Sequence, residues 1–382
     1  MDFPSHHLQV LVAGAVLFFA GFTVRSFLGQ PDRRGILLSP RVRLLPKLTQ
    51  TEVSELPYPP DAYPGGRAVR SPFGTLQVYE FGPEDGRKVL CVHGISTPCV
   101  AIGGLAHALV DKGCRVMMFD LPGRGYSDAP VDLDHDIRLY MSAILVVLSS
   151  SKLAWTGQNG FSLVGYSLGG GISASFTSYF PEMIRDLVLI APAGLIRDSH
   201  IGTVSKLLYS RTILFEPIVL RVLGKRLRKP VTLGATELNQ PDDEGSTDPK
   251  KALQAEIAVD APTRPILSRS YPHLRLEEAV NHQIDFHQGY VRSVLSSLRY
   301  APIWRHHEDW KKLGEYLKAQ DQEVLMILGE HDPVIKFDET REDVMDVLEG
   351  RVRIEVLETG HETCVSKADE CAEHIRRHWN KE

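Results

Sequence analysis

The chain carries no large surplus of charge and few cysteines. A formal net charge of −5 over 382 residues supplies no global attraction to nucleic acid. Five cysteines, Cys91, Cys99, Cys114, Cys364 and Cys371, are too few and too odd in number for a disulfide framework. They point mildly to a reducing compartment. No Cys/His group has zinc-type spacing, and no internal repeat runs along the chain. Glycosylation sequons are missing too: none of Asn159, Asn239, Asn281 and Asn380 is followed two residues on by Ser or Thr. These absences point away from a secreted body. What is there, 43% hydrophobic and 24% charged residues, is the balance of a globular protein that buries a core.

One long apolar run stands apart. Leu8 to Val24 has no charged residue and ends at Arg25. As a helix it would reach roughly 25 Å, a marginal membrane span. A buried core helix fits poorly, because the run is apolar all round and precedes a Pro-rich stretch. A cleaved signal peptide lacks both flanks: no Lys or Arg precedes the run and no A-x-A follows it. A retained single-pass anchor is the expected outcome. Arg25, Arg33, Arg34, Arg41, Arg43 and Lys47 lie on its C-terminal side. By the positive-inside rule they keep the body of the protein cytosolic. The endoplasmic reticulum membrane is the favoured location, and secretion after cleavage is the alternative.

Leu56–Gly66 is too rich in proline for a regular helix or central strand and reads as a linker on the surface of the body. Beyond it, strands and helices alternate. Thr75–Phe81 alternates in strand fashion, and Lys88–Gly94, Arg115–Leu121, Phe161–Tyr166 and Leu187–Ala193 are short buried-strand runs. Glu323–Gly329 and Arg353–Glu358 continue the series. Helices are expected over Val100–Lys112, Ile137–Ser151, Ser173–Tyr179 and Ala368–Trp379. Such alternation predicts an α/β fold with a mostly parallel twisted sheet and helices on both faces. The stretch from Gly194 to Gln322 is too long for a loop and reads as an inserted helical cap, broken by the polar segment Asn239–Lys251. The expected division is an anchor (1–27), a Pro/Arg-rich linker (28–66), a first core segment (67–194), the cap (195–322) and a second core segment (323–382).

The chemistry centres on Gly165-Tyr166-Ser167-Leu168-Gly169, a G-x-S-x-G between a buried strand and a helix. Gly165 and Gly169 remove side chains that would crowd a tight strand-to-helix turn, which would hold the Ser167 Oγ out over the sheet edge at the positive end of the helix. A serine hydroxyl needs a base, and the base needs a carboxylate to fix its tautomer. In a parallel sheet these groups belong just past the carboxyl ends of strands. Glu323–Gly329 is followed by Glu330-His331-Asp332, and Arg353–Glu358 by Thr359-Gly360-His361. The expected triad is Ser167, Asp332 and His361, with Glu330 as a competing acid. Backbone N–H groups of Leu168 and Ile95 are the expected oxyanion donors. His93 reads as a structural residue holding the Ile95 loop. This chemistry calls for no metal and no organic cofactor.

These residues carry a family resemblance. Val92–Ser96 (VHGIS), Asp120–Asp128 (DLPGRGYSD), Gly165–Gly170 (GYSLGG), Gly329–Val334 (GEHDPV) and Thr359–His361 (TGH) resemble, in this order, the motifs of α/β-hydrolase superfamily serine hydrolases with a cap domain. The N-terminal run together with a capped core is similar to membrane-anchored monoacylglycerol-lipase-like enzymes. His287–Ile303 resembles the end of the cap in uncharacterised fungal members. Serine at the nucleophile position departs from epoxide hydrolases and haloalkane dehalogenases. The resemblance implies hydrolysis of a small-molecule or lipid ester through an acyl-enzyme. Thioester, amide or C–C bond hydrolysis shares the same intermediate and stays open, as does a catalytically silent binding protein. Ser205–Lys229 interleaves apolar and basic residues. It reads either as a basic amphipathic lid on an anionic leaflet or as a cap helix buried on the core.

Overall fold

Runs such as Phe161–Tyr166 and Val324–Gly329 have no polar face to offer to water, so both sides must be covered. The computed structural model describes residues 14, 35–157, 160–197, 216–228, 255–256 and 265–380, and it arranges these runs in that way. In chain order the strands are β1 (Ile36–Leu37), β2 (Arg67–Ser71), β3 (Gly74–Phe81), β4 (Arg87–Val92) and β5 (Cys114–Phe119). They continue with β6 (Ala129–Pro130), β7 (Phe161–Tyr166), β8 (Ile184–Ile190), β9 (Val324–Gly329) and β10 (Val352–Leu357). Among the described residues, eight of them form one sheet in the order β10-β9-β8-β7-β4-β5-β3-β2. The pairs from β5 to β10 are parallel, and β2 and β3 add an antiparallel edge. Every residue of β7 and β9 is buried.

Helices cover the sheet in two layers. Helix α1 (Gly103–Asp111) packs against α9 (Ala368–Asn380), while α3 (Leu168–Tyr179) packs between α2 (Ile137–Ser149) and α7 (His307–Ala319). Asp136 caps α2 by accepting from the Arg138 and Leu139 amides, the ordinary role of a side chain at a helix start. Between β8 and β9 lie α4 (Glu216–Arg228), α5 (Leu276–Phe286), α6 (Tyr290–Tyr300) and α7. After β9, α8 (Phe337–Val347) leads to β10.

Several expectations are refined by the tertiary packing. The helix expected from Ser173 begins at Leu168, immediately after the serine. Three consecutive glycines at 169–171 hide its start from a propensity reading. Strand β2 and helix α8 carry too many polar residues to show as a buried strand or helix in the sequence. The linker Leu56–Gly66 does not lie on the surface throughout: Tyr58 and Tyr63 are each 1% exposed. Proline prevents regular hydrogen bonding there, but it does not prevent two aromatic rings from filling the core. Tyr58 donates to the Asp120 carboxylate and Tyr63 to the Leu267 carbonyl.

Helix α4 is the described part of the Ser205–Lys229 stretch. Val219, Leu223 and Leu227, four residues apart, are buried, and the helix packs on α5 and α6. Arg228 pairs with Asp285, and Glu216 with Arg292 at 3.1 Å. This portion therefore seats its apolar line on α5 and α6, while Ile218 and Val222 face outward. The polar segment Asn239–Lys251 lies outside the described residues. So does the apolar run Leu8–Val24 apart from Gly14; among the described residues no helix is long and apolar enough to cross a membrane.

Candidate active site

Parallel pairing fixes where the chemistry gathers. Strands β4, β7, β9 and β10 all end at the same sheet edge, and each is followed within about four residues by an expected site residue. Ile95 follows β4, Ser167 follows β7, Asp332 follows β9 and His361 follows β10.

Ser167 sits at the turn from β7 into α3 with φ 53° and ψ −118°. That is a strained conformation for a residue with a Cβ, of the kind that clusters at functional sites. The surrounding backbone holds it there. Its N–H donates to Ile190 O at 3.0 Å, and its carbonyl accepts from Gly170 N and Ala193 N at 2.9 Å each. The two flanking glycines are needed for close approach. A Cβ on Gly165 would strike the Gly169 carbonyl and the Ser173 hydroxyl, and a Cβ on Gly169 would strike the Val92 carbonyl.

A line of hydrogen bonds runs through three of the expected residues. His361 Nε2 lies 2.9 Å from Ser167 Oγ, and His361 Nδ1 lies 2.7 Å from Asp332 Oδ2. The second oxygen of Asp332 accepts from the Val334 and Ile335 amides at 2.7 and 2.8 Å. Asp332 thus caps the following turn and orients the histidine with the same carboxylate. Glu330 and His331 are exposed, so the competing acid does not reach the site. Ser167 is 7% exposed and His361 1%. Burial by itself would lower the His361 pKa, but the Asp332 charge and hydrogen bond outweigh it and raise it above the ordinary value. Tyr166 supports the ring from behind, donating to the His361 carbonyl at 3.1 Å. Glu362 braces the loop through Thr359 Oγ1 at 2.9 Å.

The Ile95 loop is built just as tightly. His93 is fully buried; its Nε2 accepts from Leu121 N at 2.9 Å and its Nδ1 meets the Gly94 carbonyl at 2.9 Å. Burial pushes its pKa down to about 3, so it stays a neutral tie between two loops. The buried Arg124 grips the Ile95 carbonyl at 2.9 Å and the Ser297 hydroxyl of α6 at 2.7 Å. Asp120 receives the amides of Cys99 and Tyr126 at 2.9 Å each; burial nonetheless raises its pKa to about 6. The Asp120–Asp128 motif is therefore scaffolding for the site. Leu168 supplies the first amide of α3.

One residue at the site was invisible in the sequence. Glu256, fully buried, sends its carboxylate to Ile95 N at 2.8 Å and Ser96 N at 2.8 Å. No motif, periodicity or spacing marks it. Among the described residues no group of three or more His, Cys, Asp or Glu could hold a metal ion. The arrangement can move a proton from a serine hydroxyl to an imidazole and present backbone donors to a developing negative charge.

Comparison with known proteins agrees with this architecture. A serine hydrolase-like protein of Danio rerio is 30% identical over 126 residues. The match covers 33% of this chain and 37% of that protein's length. Among solved structures, a putative lipase of Acinetobacter baumannii superposes with a TM-score of 0.57 at 17% identity, covering 84% of this chain and 92% of that one. The naproxen esterase of Bacillus subtilis gives a TM-score of 0.57 at 15% identity, covering 82% and 91%. At these identities the structural likenesses carry the fold alone. The family model for the alpha/beta hydrolase fold matches residues 88–368, which takes in Ile95, the Ser167 turn and both later strands with Asp332 and His361, and the chain belongs to that family.

Proposed function

We propose that this chain is a serine hydrolase that cleaves carboxylic esters, a lipid or other apolar ester being favoured. The observation that carries the reading is the unbroken line from Asp332 through His361 to Ser167 at 2.7 and 2.9 Å. With Asp332 accepting a hydrogen bond from the Nδ1–H group, the Nε2 lone pair of His361 is free to take the serine proton. Ser167 Oγ then bonds to the substrate carbonyl carbon, and the oxygen gains negative charge held by the Ile95 and Leu168 amides. Collapse breaks the bond to the leaving alcohol, which takes the proton back from His361. A water, deprotonated by the same nitrogen, attacks the acyl-enzyme, releases the carboxylic acid and restores Ser167.

The test is fluorophosphonate labelling of the full chain, followed by a panel of esters, thioesters and amides of increasing acyl length, each run across pH. The expected result is labelling and fastest turnover of apolar esters. The kcat/KM profile should lose activity on the acid side, because only neutral His361 accepts the proton. Its midpoint should lie above the ordinary imidazole value of about 6.5, since Asp332 raises the His361 pKa. A profile flat down to about pH 4 would rule out a histidine base, and a preference for thioesters or amides would move the substrate class.

The same reading includes the division of the chain into an anchor (1–27), a linker (28–66), core segments (67–194 and 323–382) and a cap (195–322). Leu8–Val24 anchors the protein in a membrane, favoured as the endoplasmic reticulum, with the catalytic body in the cytosol. Support comes from the basic residues Arg25–Lys47 and from the outward Ile218 and Val222 beside Arg221 and Lys225 on α4, a surface able to rest on an anionic leaflet. Removing residues 1–27 should release an active protein from the membrane fraction in high salt. A C-terminal tag in sealed microsomes should be digested without detergent; full protection of the tag would place the body in the lumen and overturn this topology.

A further inference from the structure

The cap residue Glu256 occupies the donor that catalysis needs. Its Oε1 takes the Ile95 N–H and its Oε2 the Ser96 N–H, at 2.8 Å each, and the Ser96 hydroxyl adds a third donor to Oε2. A carboxylate held by three donors in a buried site is a strong, charge-assisted arrangement. The approach is close enough that a Cβ on Gly94 would lie 2.2 Å from Glu256 Oε1 and 2.7 Å from its carboxyl carbon, a collision. Glycine at 94 therefore makes room for this contact. The loop beneath is braced from the cap as well, since Gln283 and Tyr290 both donate to the Ser96 carbonyl at 3.3 and 2.6 Å.

An amide proton engaged with a carboxylate oxygen is not available to a substrate oxyanion. We propose that Glu256 is an autoinhibitory residue: its carboxylate mimics the carboxylic acid product on the oxyanion donors, and it must leave the Ile95 amide before a substrate carbonyl can bind productively. This inference rests on the serine hydrolase reading, because it takes Ile95 N as an oxyanion donor. Two features of the site favour blockade over a catalytic duty. Both carboxylate oxygens are held by donors of the Ile95–Ser96 loop, which fixes the group on that loop rather than on the Ser167–His361 pair. The charge also sits where negative charge develops in the transition state, and two negative charges on one set of donors oppose each other. The same negative charge acts on His361, which places it within electrostatic reach of the base as well as of the loop.

The experiment compares full-length wild type, Glu256→Gln and Glu256→Ala by the second-order rate of fluorophosphonate labelling and by kcat/KM on a short p-nitrophenyl ester. Ser167→Ala is the unlabelled control, and melting temperatures establish that each variant is folded. Gln keeps the shape and one acceptor oxygen but removes the charge; Ala removes the plug altogether. Losing a charge-assisted contact of this kind should accelerate labelling by about 10- to 100-fold in Glu256→Ala, with Glu256→Gln between that variant and wild type. Wild type that labels while both folded variants label at the same rate or more slowly overturns the autoinhibitory role and leaves the hydrolase reading standing. No labelling in wild type together with labelling in Glu256→Ala supports both readings. No labelling in any folded variant removes the hydrolase reading, and this inference with it.

Discussion

Ser167→Ala is expected to abolish fluorophosphonate labelling and to lower kcat by about 10⁴- to 10⁶-fold, because Ser167 Oγ is the hydroxyl that stands at the His361 nitrogen. The hydroxyl is the only group that changes. Its loss removes one hydrogen bond, to His361 Nε2, and leaves intact the backbone bonds that hold the turn, Ser167 N to Ile190 O and Gly170 N to Ser167 O. Alanine also has a Cβ, so the strain at φ 53° is carried over rather than increased. The variant should therefore fold with a melting temperature close to that of wild type and bind substrate without turning it over. A folded Ser167→Ala protein that still reacts with the probe would remove Ser167 from the mechanism.

Asp332→Asn is expected to cost roughly 10⁴-fold in kcat while leaving the fold in place. The reason lies in the two jobs of the carboxylate. Oδ1 accepts from the Val334 and Ile335 amides, and an asparagine satisfies both by placing its own carbonyl oxygen there. Its NH₂ group is then aimed at His361 Nδ1, where Oδ2 now stands. A donor at that position forces the imidazole proton onto Nε2, which can then no longer accept the serine proton. The predicted signature is a large fall in kcat with little change in KM and a melting temperature within a few degrees of wild type. A variant that keeps more than about a tenth of wild-type kcat would show that Asp332 serves the turn alone.

Much of this site can be read along the chain because its parts obey local rules. A nucleophile at a strand-to-helix turn needs glycine on both sides, and Gly165 and Gly169 show that need directly in the sequence. An acid and a base must follow buried strands, and Val324–Gly329 and Val352–Leu357 are recognisable by their apolar character. Glu330 and Asp332 compete for one role, since both follow the same strand. Burial decides it: Glu330 is exposed, whereas Asp332 is 6% exposed and already held by two amides. The Asp120–Asp128 motif was visible as a pattern, but its work was not. Only packing shows Asp120 gathering the Cys99 and Tyr126 amides and the Tyr58 hydroxyl into one buried cluster.

By itself the sequence determined the alternation of buried strands and helices, the serine turn, and the chain order of Ser167, Asp332 and His361. Each of these depends on the period of a strand or helix, or on the crowding of adjacent backbone, and both act over a few residues. Tertiary structure alone decided that Tyr58 and Tyr63 belong to the core, that α4 lays Val219, Leu223 and Leu227 against its helical neighbours α5 and α6, and that Glu256 reaches Ile95 across 161 positions of sequence. A single carboxylate has no periodicity to announce it. Which amide it meets is set by long-range packing: Glu256 is fully buried, and in such a place an unpaired carboxylate or amide would be costly.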